Sequence, residues 1–368
     1  MDSLRIKPEK SKFLRYFKSY ASLFSKERTG FYGNFGHGDI GDDAAFFAAA
    51  KLLDTSILAL SKRCRAFNPG KLKALLIGGG GLLRWEAPYI PRRILLRDKW
   101  RFPVVLFSAG VNCDYGCEFR KDAKEKIKRL CEVCDYITVR DKVSQEFLKS
   151  LGVGKISILP DLELSLDGNP KTLEHDKKDS AVGIVLTPHS QFPAAVFDKM
   201  IKVFSQFSDY LADRGRNVLY IPFEASGSYD TKESEITKEV INNVKNKSRI
   251  GMLKPSSDPR ELLFNIRSHC DFMVCTRLHS AVFAVNAGIP FFCVSYNLMH
   301  KGFLEMIDSP ELELSIFEEF SFDNMVDKYE YVISNYKALE EKIINKKYGL
   351  SLLTENEIKK VKAIISEI

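Results

Sequence analysis

The sequence predicts an α/β protein built from two βα domains that face a cleft. Three observations carry this. The chain has 368 residues, roughly twice a typical ~150-residue domain. Its 45% hydrophobic and 28% charged residues suit a chain that buries a core and exclude a disordered one. Short apolar runs ending in small or polar residues alternate with helical periodicity, and the pattern runs through twice with a polar stretch between.

Residues 1–28 hold eight Lys/Arg against three acids, with Phe13, Leu14, Phe17, Tyr20, Leu23 and Phe24 at helical spacing. This is a basic amphipathic helix. It fits an N-terminal helix packed on the body with its lysines solvated, and also peripheral docking on an anionic membrane face. The first α/β domain is expected over 29–166. A glycine-rich turn, Gly30 to Gly41, leads into a helix with Phe46, Ala49, Ala50, Leu53, Ile57 and Leu60 on one face. Strand Ala74–Ile77 then runs into the turn Gly78–Gly81, Val104–Phe107 into Ser108-Ala-Gly110, Tyr136–Val139 into Arg140-Asp141, and Lys155–Leu159 into Pro160-Asp161.

The polar stretch from Asp167 to Ser180 reads as the linker. A second domain is expected over 180–320. Its strands are Val182–Leu186, Val218–Ile221, Phe272–Cys275 and Phe291–Ser295, and helices run from Phe197, Tyr229, Pro259 and His279. Residues 321–368 alternate charged and apolar residues at helical spacing, giving a C-terminal helical tail that can pack back on the first domain.

Composition limits the chemistry. The net charge of +7 favours anionic ligands without demanding nucleic acid. Eight cysteines and an N-terminus without an apolar leader segment imply a reducing, cytoplasmic setting. The longest apolar runs are strand-length, as in Phe102–Phe107, so no membrane span is expected. Cys113, Cys117, Cys131 and Cys134 have a spacing that could hold zinc, but the second pair spans a helix end and a strand start, which suits packing thiols better. The histidines likewise show no metal-ligand pattern.

Three segments could carry function. Gly36-His-Gly-Asp-Ile-Gly41 matches GxGxxG, but only Phe31-Tyr32 precedes it and 58–65 hold no acid, so a nicotinamide cofactor is not expected. Asp42 and Asp43 suit the helix start, and the turn is either a capped bend or a ligand-facing loop. Gly78–Gly81 could bare backbone amides to a sugar or phosphate, or simply allow close packing. The strongest constellation is Cys275-Thr-Arg-Leu-His-Ser280. Arg277 and His279 stand where a buried strand gives way to a helix, joining an anion clamp, a helix dipole and a titratable group at one point.

In order, Gly33…Gly41-Asp42-Asp43, Leu76-Ile-Gly-Gly-Gly-Gly-Leu82, Arg140-Asp141…Ser144…Leu151-Gly152, Pro160-Asp161, Asp258-Pro…Glu261-Leu-Leu263, Arg277-Leu-His279 and Gly288-Ile-Pro290…Tyr296 resemble the polysaccharide pyruvyl transferase family, from about Gly30 to Ile307. Where the family commonly has Asn-x-Gly-Asp this chain has Asp39-Ile-Gly-Asp42, and Met299 stands where a lysine is often found.

The resemblance implies a GT-B-like pair of Rossmann-type domains. It also implies transfer of a pyruvyl group from phosphoenolpyruvate, a co-substrate, to a sugar or lipid-linked oligosaccharide, closing a pyruvate ketal. The chemistry that the resemblance implies requires neither a metal nor a redox cofactor. On this reading His279 is the general acid, Arg277, Leu278 and Arg140 bind the donor, and Gly79, Gly80, Asp39 and Asp42 form the acceptor-side loops. The product belongs to exopolysaccharide or cell-surface glycan synthesis, in the cytoplasm or at the inner face of the membrane. Two other functions fit the same sequence: a nucleotide-sugar glycosyltransferase, and a non-catalytic glycan-binding protein.

Overall fold

The computed structural model of the chain describes residues 28–36, 38–55, 57–60, 72–86, 88, 90–95, 101–166, 180–188, 192–224, 232–318 and 320–366. The expected N-terminal helix and nearly all of the expected linker lie outside them. The described residues fall into two compact units. The first takes those up to Gly38, then Asp42–Leu162, and those from Leu352 onward; the second takes Asp39–Gly41 and Glu163–Ser351.

The first unit has strands β1 (Arg28–Tyr32), β2 (Ile57–Leu60), β3 (Leu72–Arg84), β4 (Val104–Asn112), β5 (Tyr136–Val139) and β6 (Ile156–Ile158). They form one parallel sheet in the order β2-β1-β3-β4-β5-β6. The helices are α1 (Ile40–Leu53), the single turn α2 (Arg92–Leu95), α3 (Lys121–Val133) and α4 (Lys142–Ser150). Leu75, Leu76, Ile77, Val105, Leu106 and Phe107 on the central strands are fully buried, as are Ile127 and Leu130 of α3 and Leu148 of α4.

In the second unit a 3-10 turn (Leu162–Ser165) leads in from the first. The strands are β7 (Ala181–Val185), β8 (Asn217–Tyr220), β9 (Ile250–Met252), β10 (Cys270–Cys275), β11 (Phe291–Ser295) and β12 (Glu313–Ser315). The helices are α5 (Ala194–Asp213), α6 (Lys232–Asn243), α7 (Pro259–His269), α8 (Leu278–Ala287), α9 (Leu298–Met306), α10 (Phe322–Ser334) and α11 (Tyr336–Ser366). Its parallel sheet runs β12-β11-β10-β7-β8-β9, the doubly wound order in which the chain works outward from β7 and then returns to build the other half from β10. The carboxyl ends of β7 and β10 therefore form the topological switch point, where such sheets bind their ligands. Phe207 of α5, Phe272, Phe292 and Tyr329 of α10 pack edge to face, and each fully buried Phe contributes about 1.5–3 kcal/mol of transfer free energy.

The fold class is the one expected, two Rossmann-type units with a C-terminal helical tail, but three local expectations are corrected and two strands are added. A full strand, β1, precedes the glycine turn. It escapes a reading by apolar runs because Gly30 sits in it, where a Cβ would meet Leu60 Cδ1 at 2.7 Å. Ile57 and Leu60 belong to β2, since α1 stops at Leu53 and Asp54 turns the chain with φ 50°. The glycines 78–81 are the middle of β3 rather than a turn after it. Strands β9 and β12 are three-residue additions without a periodicity long enough to read.

Candidate active site

Strand β10 ends at the switch point, pinned there by Thr276, whose N–H and Oγ1 both donate to the Val185 carbonyl of β7, the latter at 2.9 Å. Arg277 follows in extended conformation and α8 begins at Leu278. The guanidinium and the first amides of the helix thus stand at one place, as anion binding requires. Arg277 reaches two carboxylates, donating from Nη1 to Glu233 Oε1 at 2.6 Å and from Nη2 to Asp39 Oδ2 at 2.7 Å. Glu233, at the start of α6, accepts the Phe223 N–H through its other oxygen at 2.8 Å.

Burial acts to lower the Arg277 pKa, but the charges of Asp39 and Glu233, then Tyr296 and Glu224, outweigh it, and the pKa ends above its ordinary value. The guanidinium is a permanent cation. The Glu233 carboxyl is pushed up by burial, against the opposing pull of Arg277 and of the Phe223 amide.

His279 is nearly buried between two further carboxylate contacts. Its Nδ1 lies 3.5 Å from Asp39 Oδ1 and its Nε2 3.6 Å from Glu163 Oε1. Asp39 comes from far away in sequence but belongs to this unit. It forms an isolated antiparallel bridge with Glu224, and the next residue, Ile40, donates its N–H to the Phe223 carbonyl at 3.0 Å. Gly41 lies against the imidazole so closely that a Cβ would stand 1.9 Å from Nδ1. The last glycine of the GxGxxG match is therefore required by the histidine ring.

Asp42, Gly79, Gly80 and Arg140 belong to the first unit. Asp42 is in the first unit, buried, accepting from Asn34 Nδ2 at 2.6 Å. Gly80 packs on it, its Cβ position 2.7 Å from Asp42 Oδ1, and a Cβ on Gly79 would meet Phe31 Cζ at 2.7 Å. These two glycines, buried at φ +147° and +70°, allow close packing within the first unit, the second of the two readings the sequence left open. Leu278 is buried too, which leaves its backbone amide as the group it can offer a ligand.

Arg140 also lies in the first unit. Only 1% of its side chain is exposed, and it pairs with Asp161 at 3.2 Å and Asp141 at 3.4 Å, packed over Gly110, where a Cβ would stand 2.1 Å from its Nε. It is a buried counter-ion rather than the donor ligand expected at a cleft. Met299, in α9, donates its N–H to the capping Asn297, while nearby Lys301 is exposed beside Glu305 at 4.0 Å.

Among the described residues no cluster of three or more His, Cys, Asp or Glu could hold a metal ion. Burial pushes the Cys113 thiol to about 11 and the Cys131 thiol to about 12, so both are packed as neutral groups.

Residues 5–297 match the sequence model of the polysaccharide pyruvyl transferase family. The chain belongs to this family. The match reaches from before β1 through β11 and so includes Arg277 and His279. A curated relative, the amylovoran biosynthesis protein AmsJ of Erwinia amylovora, is 21% identical over 225 residues, 56% of this chain and 53% of that protein; the chain spans about half the length of this relative. Among solved structures, a glycosyltransferase from Rickettsia africae has a TM-score of 0.59 at 13% identity, covering 94% of this chain and 100% of that one. The UDP-GlcNAc 2-epimerase of Neisseria meningitidis gives 0.60 at 9% identity, covering 92% and 99%. Such likenesses show the fold alone, and the fold is GT-B-like.

Glu233 and Glu163, which flank this family member's Arg277 and His279, carry no sequence signal beyond being acids near a helix or turn. Asn286 does carry one, as a polar residue seven positions after His279 in an otherwise apolar helix.

Proposed function

We propose that the chain transfers the pyruvyl group of phosphoenolpyruvate to a sugar of a polysaccharide precursor and closes it into a cyclic ketal. The observation that supports this is the pairing of a permanently charged arginine with a histidine two residues later, at the amino end of α8 and the switch point of the sheet. Phosphoenolpyruvate is a small, dense anion. It would take the Arg277 guanidinium from Asp39, the more exposed of its two carboxylates at 21% against 1% for Glu233, and use the fork as its carboxylate or phosphate clamp.

The His279 imidazolium then gives its Nδ1 proton to the methylene carbon, the double-bond electrons forming the new C–H bond. The central carbon, now cationic, accepts a sugar hydroxyl whose proton returns to His279. Phosphate leaves with the C–O electron pair, and a second hydroxyl of the sugar attacks the same carbon and closes the ketal, its O–H proton going to the departing phosphate. AmsJ, named as an amylovoran biosynthesis protein, supports placing the acceptor in a polysaccharide under synthesis, and the acceptor proposed is a lipid-linked oligosaccharide at the inner face of the membrane. Among the described residues no helix is long and apolar enough to cross a membrane; contact with the lipid surface is assigned to the basic segment 1–28.

The test is incubation with phosphoenolpyruvate and galactose-, mannose- and glucosamine-type acceptors, reading phosphate release and the mass of an added ketal. His279→Ala should abolish both while retaining donor binding. Thermal stabilisation by UDP but not by phosphoenolpyruvate, with no ketal formed, would replace this reading with glycosyl transfer.

A further inference from the structure

Helix α8 carries His279 in its first turn and Asn286 in its last, seven residues apart and so on one face. Both meet Glu163. The carboxylate faces His279 Nε2 at 3.6 Å, and the Glu163 backbone carbonyl accepts from Asn286 Nδ2 at 2.6 Å. Asn286 is held in turn. Its carbonyl and Oδ1 each accept from Lys347 Nζ of α11 at 2.6 Å and from Arg267 Nη2 of α7 at 3.1 Å. Glu163, Asn286 and Lys347 are all buried.

Desolvating a carboxylate, an amide and an ammonium is costly, and apolar residues of the same volume would stabilise the core at least as well. What the network does supply is position. Three helices and the 3-10 turn Leu162–Ser165 fix one carboxylate beside one imidazole. We propose that Glu163 is the positioning carboxylate of His279, and that Asn286, with Lys347 and Arg267, sets its station.

The inference rests on His279 being the proton donor proposed above. Of the two carboxylates at the ring, Asp39 is the more exposed and is shared with Arg277, so a bound donor displaces it and takes the Nδ1 side. Glu163 stays on Nε2. There it keeps a proton on that nitrogen when Nδ1 gives one up, and it favours the imidazolium when the proton returns, as a carboxylate behind a catalytic histidine does. The charged groups facing the imidazole are Glu163 from the 3-10 turn, Asp39 from the start of α1, and Arg277 two residues before it; the test changes the first and keeps the others.

The experiment is an NMR titration of the His279 ring, assigned with His279→Gln, in the whole protein and in Glu163→Gln and Lys347→Met. Loss of a negative charge lowers an imidazole pKa, so Glu163→Gln should lower that of His279 by about one unit or more; Lys347→Met removes a positive charge, which by itself raises that pKa, so a smaller fall in this variant reports that Glu163 has left its station. In turnover Glu163→Gln should lower kcat about 10- to 100-fold with an unchanged KM for phosphoenolpyruvate. The alkaline limb of the kcat profile should move to lower pH with the titration. An unchanged His279 titration in a folded Glu163→Gln protein overturns the inference, whatever the activity. A shifted titration in a protein that consumes no phosphoenolpyruvate supports the positioning and overturns pyruvyl transfer.

Discussion

At the scale of the residue, Arg277 is ion-paired with both Asp39 and Glu233, so on the proposed function a donor must displace one of them. Anion binding is therefore an exchange of partners. Asp39→Asn keeps the shape but removes one competing charge; if about 1 kcal/mol of pairing no longer has to be given up, the KM for phosphoenolpyruvate should fall about fivefold, read from initial rates of phosphate release. Arg277→Lys should do the reverse and raise KM at least about tenfold, because an ammonium cannot present the planar fork. The same environment logic makes the cysteines quiet. Burial lifts the thiols of Cys113, Cys131 and Cys275 to about 11, about 12 and about 12. Reactivity needs the thiolate, so iodoacetamide at neutral pH should leave these three unlabelled in the native protein and label them on unfolding, as mass mapping would report.

At the scale of the element, β3 is where sequence and structure part most instructively. A run of glycines reads as a turn, yet pairing with β4 continues through Gly78 and Gly80 and on to Arg84. The glycines are there because Phe31, Phe35 and the β4 backbone come too close for side chains. Gly79→Ala adds a Cβ 2.7 Å from Phe31 Cζ at φ +70°, whereas Gly116→Ala, at φ +77°, meets nothing within 4 Å. Gly116→Ala should cost only the backbone term of about 1–2 kcal/mol, and Gly79→Ala that plus about 1–3 kcal/mol of overpacking; melting temperatures of the two variants should separate accordingly. Strands β10 and β11 were legible because they are unbroken apolar runs at the centre of a sheet. β2 was not, because Ile57 and Leu60 continue the spacing of Phe46 to Leu53 and only the left-handed Asp54 breaks the helix. Arg277 and His279 could be seen because both lie at one strand end. Their carboxylates could not, since Asp39, Glu163 and Glu233 come from three separate segments and are gathered only by the winding of the second sheet.

At the scale of the whole molecule, the chain leaves the first unit after Leu162 and re-enters it at Leu352, part-way along the single helix α11. The part of α11 before that point serves the second unit, through Lys347 on Asn286. The part after it completes the first. Ile358, Val361 and Ile365 are buried, and Glu357 accepts from Tyr136 of β5 at 2.6 Å while also pairing with Lys360. A burial of three aliphatic side chains at about 1.5–3 kcal/mol each is comparable to the whole net stability of a domain, about 5–15 kcal/mol. Removing residues 352–368 should therefore loosen the first unit and spare the second, whose last residue is Ser351. Hydrogen exchange would read this directly, with protection falling in β5 and β6 while β7, β10 and β11 keep theirs. Equal loss in both sheets would mean that the two units do not unfold separately. The truncated chain should still hold Arg277, Glu233, Asp39, Glu163 and His279 together, because all five belong to the second unit, so weak binding of phosphoenolpyruvate should survive a deletion that destabilises the other unit.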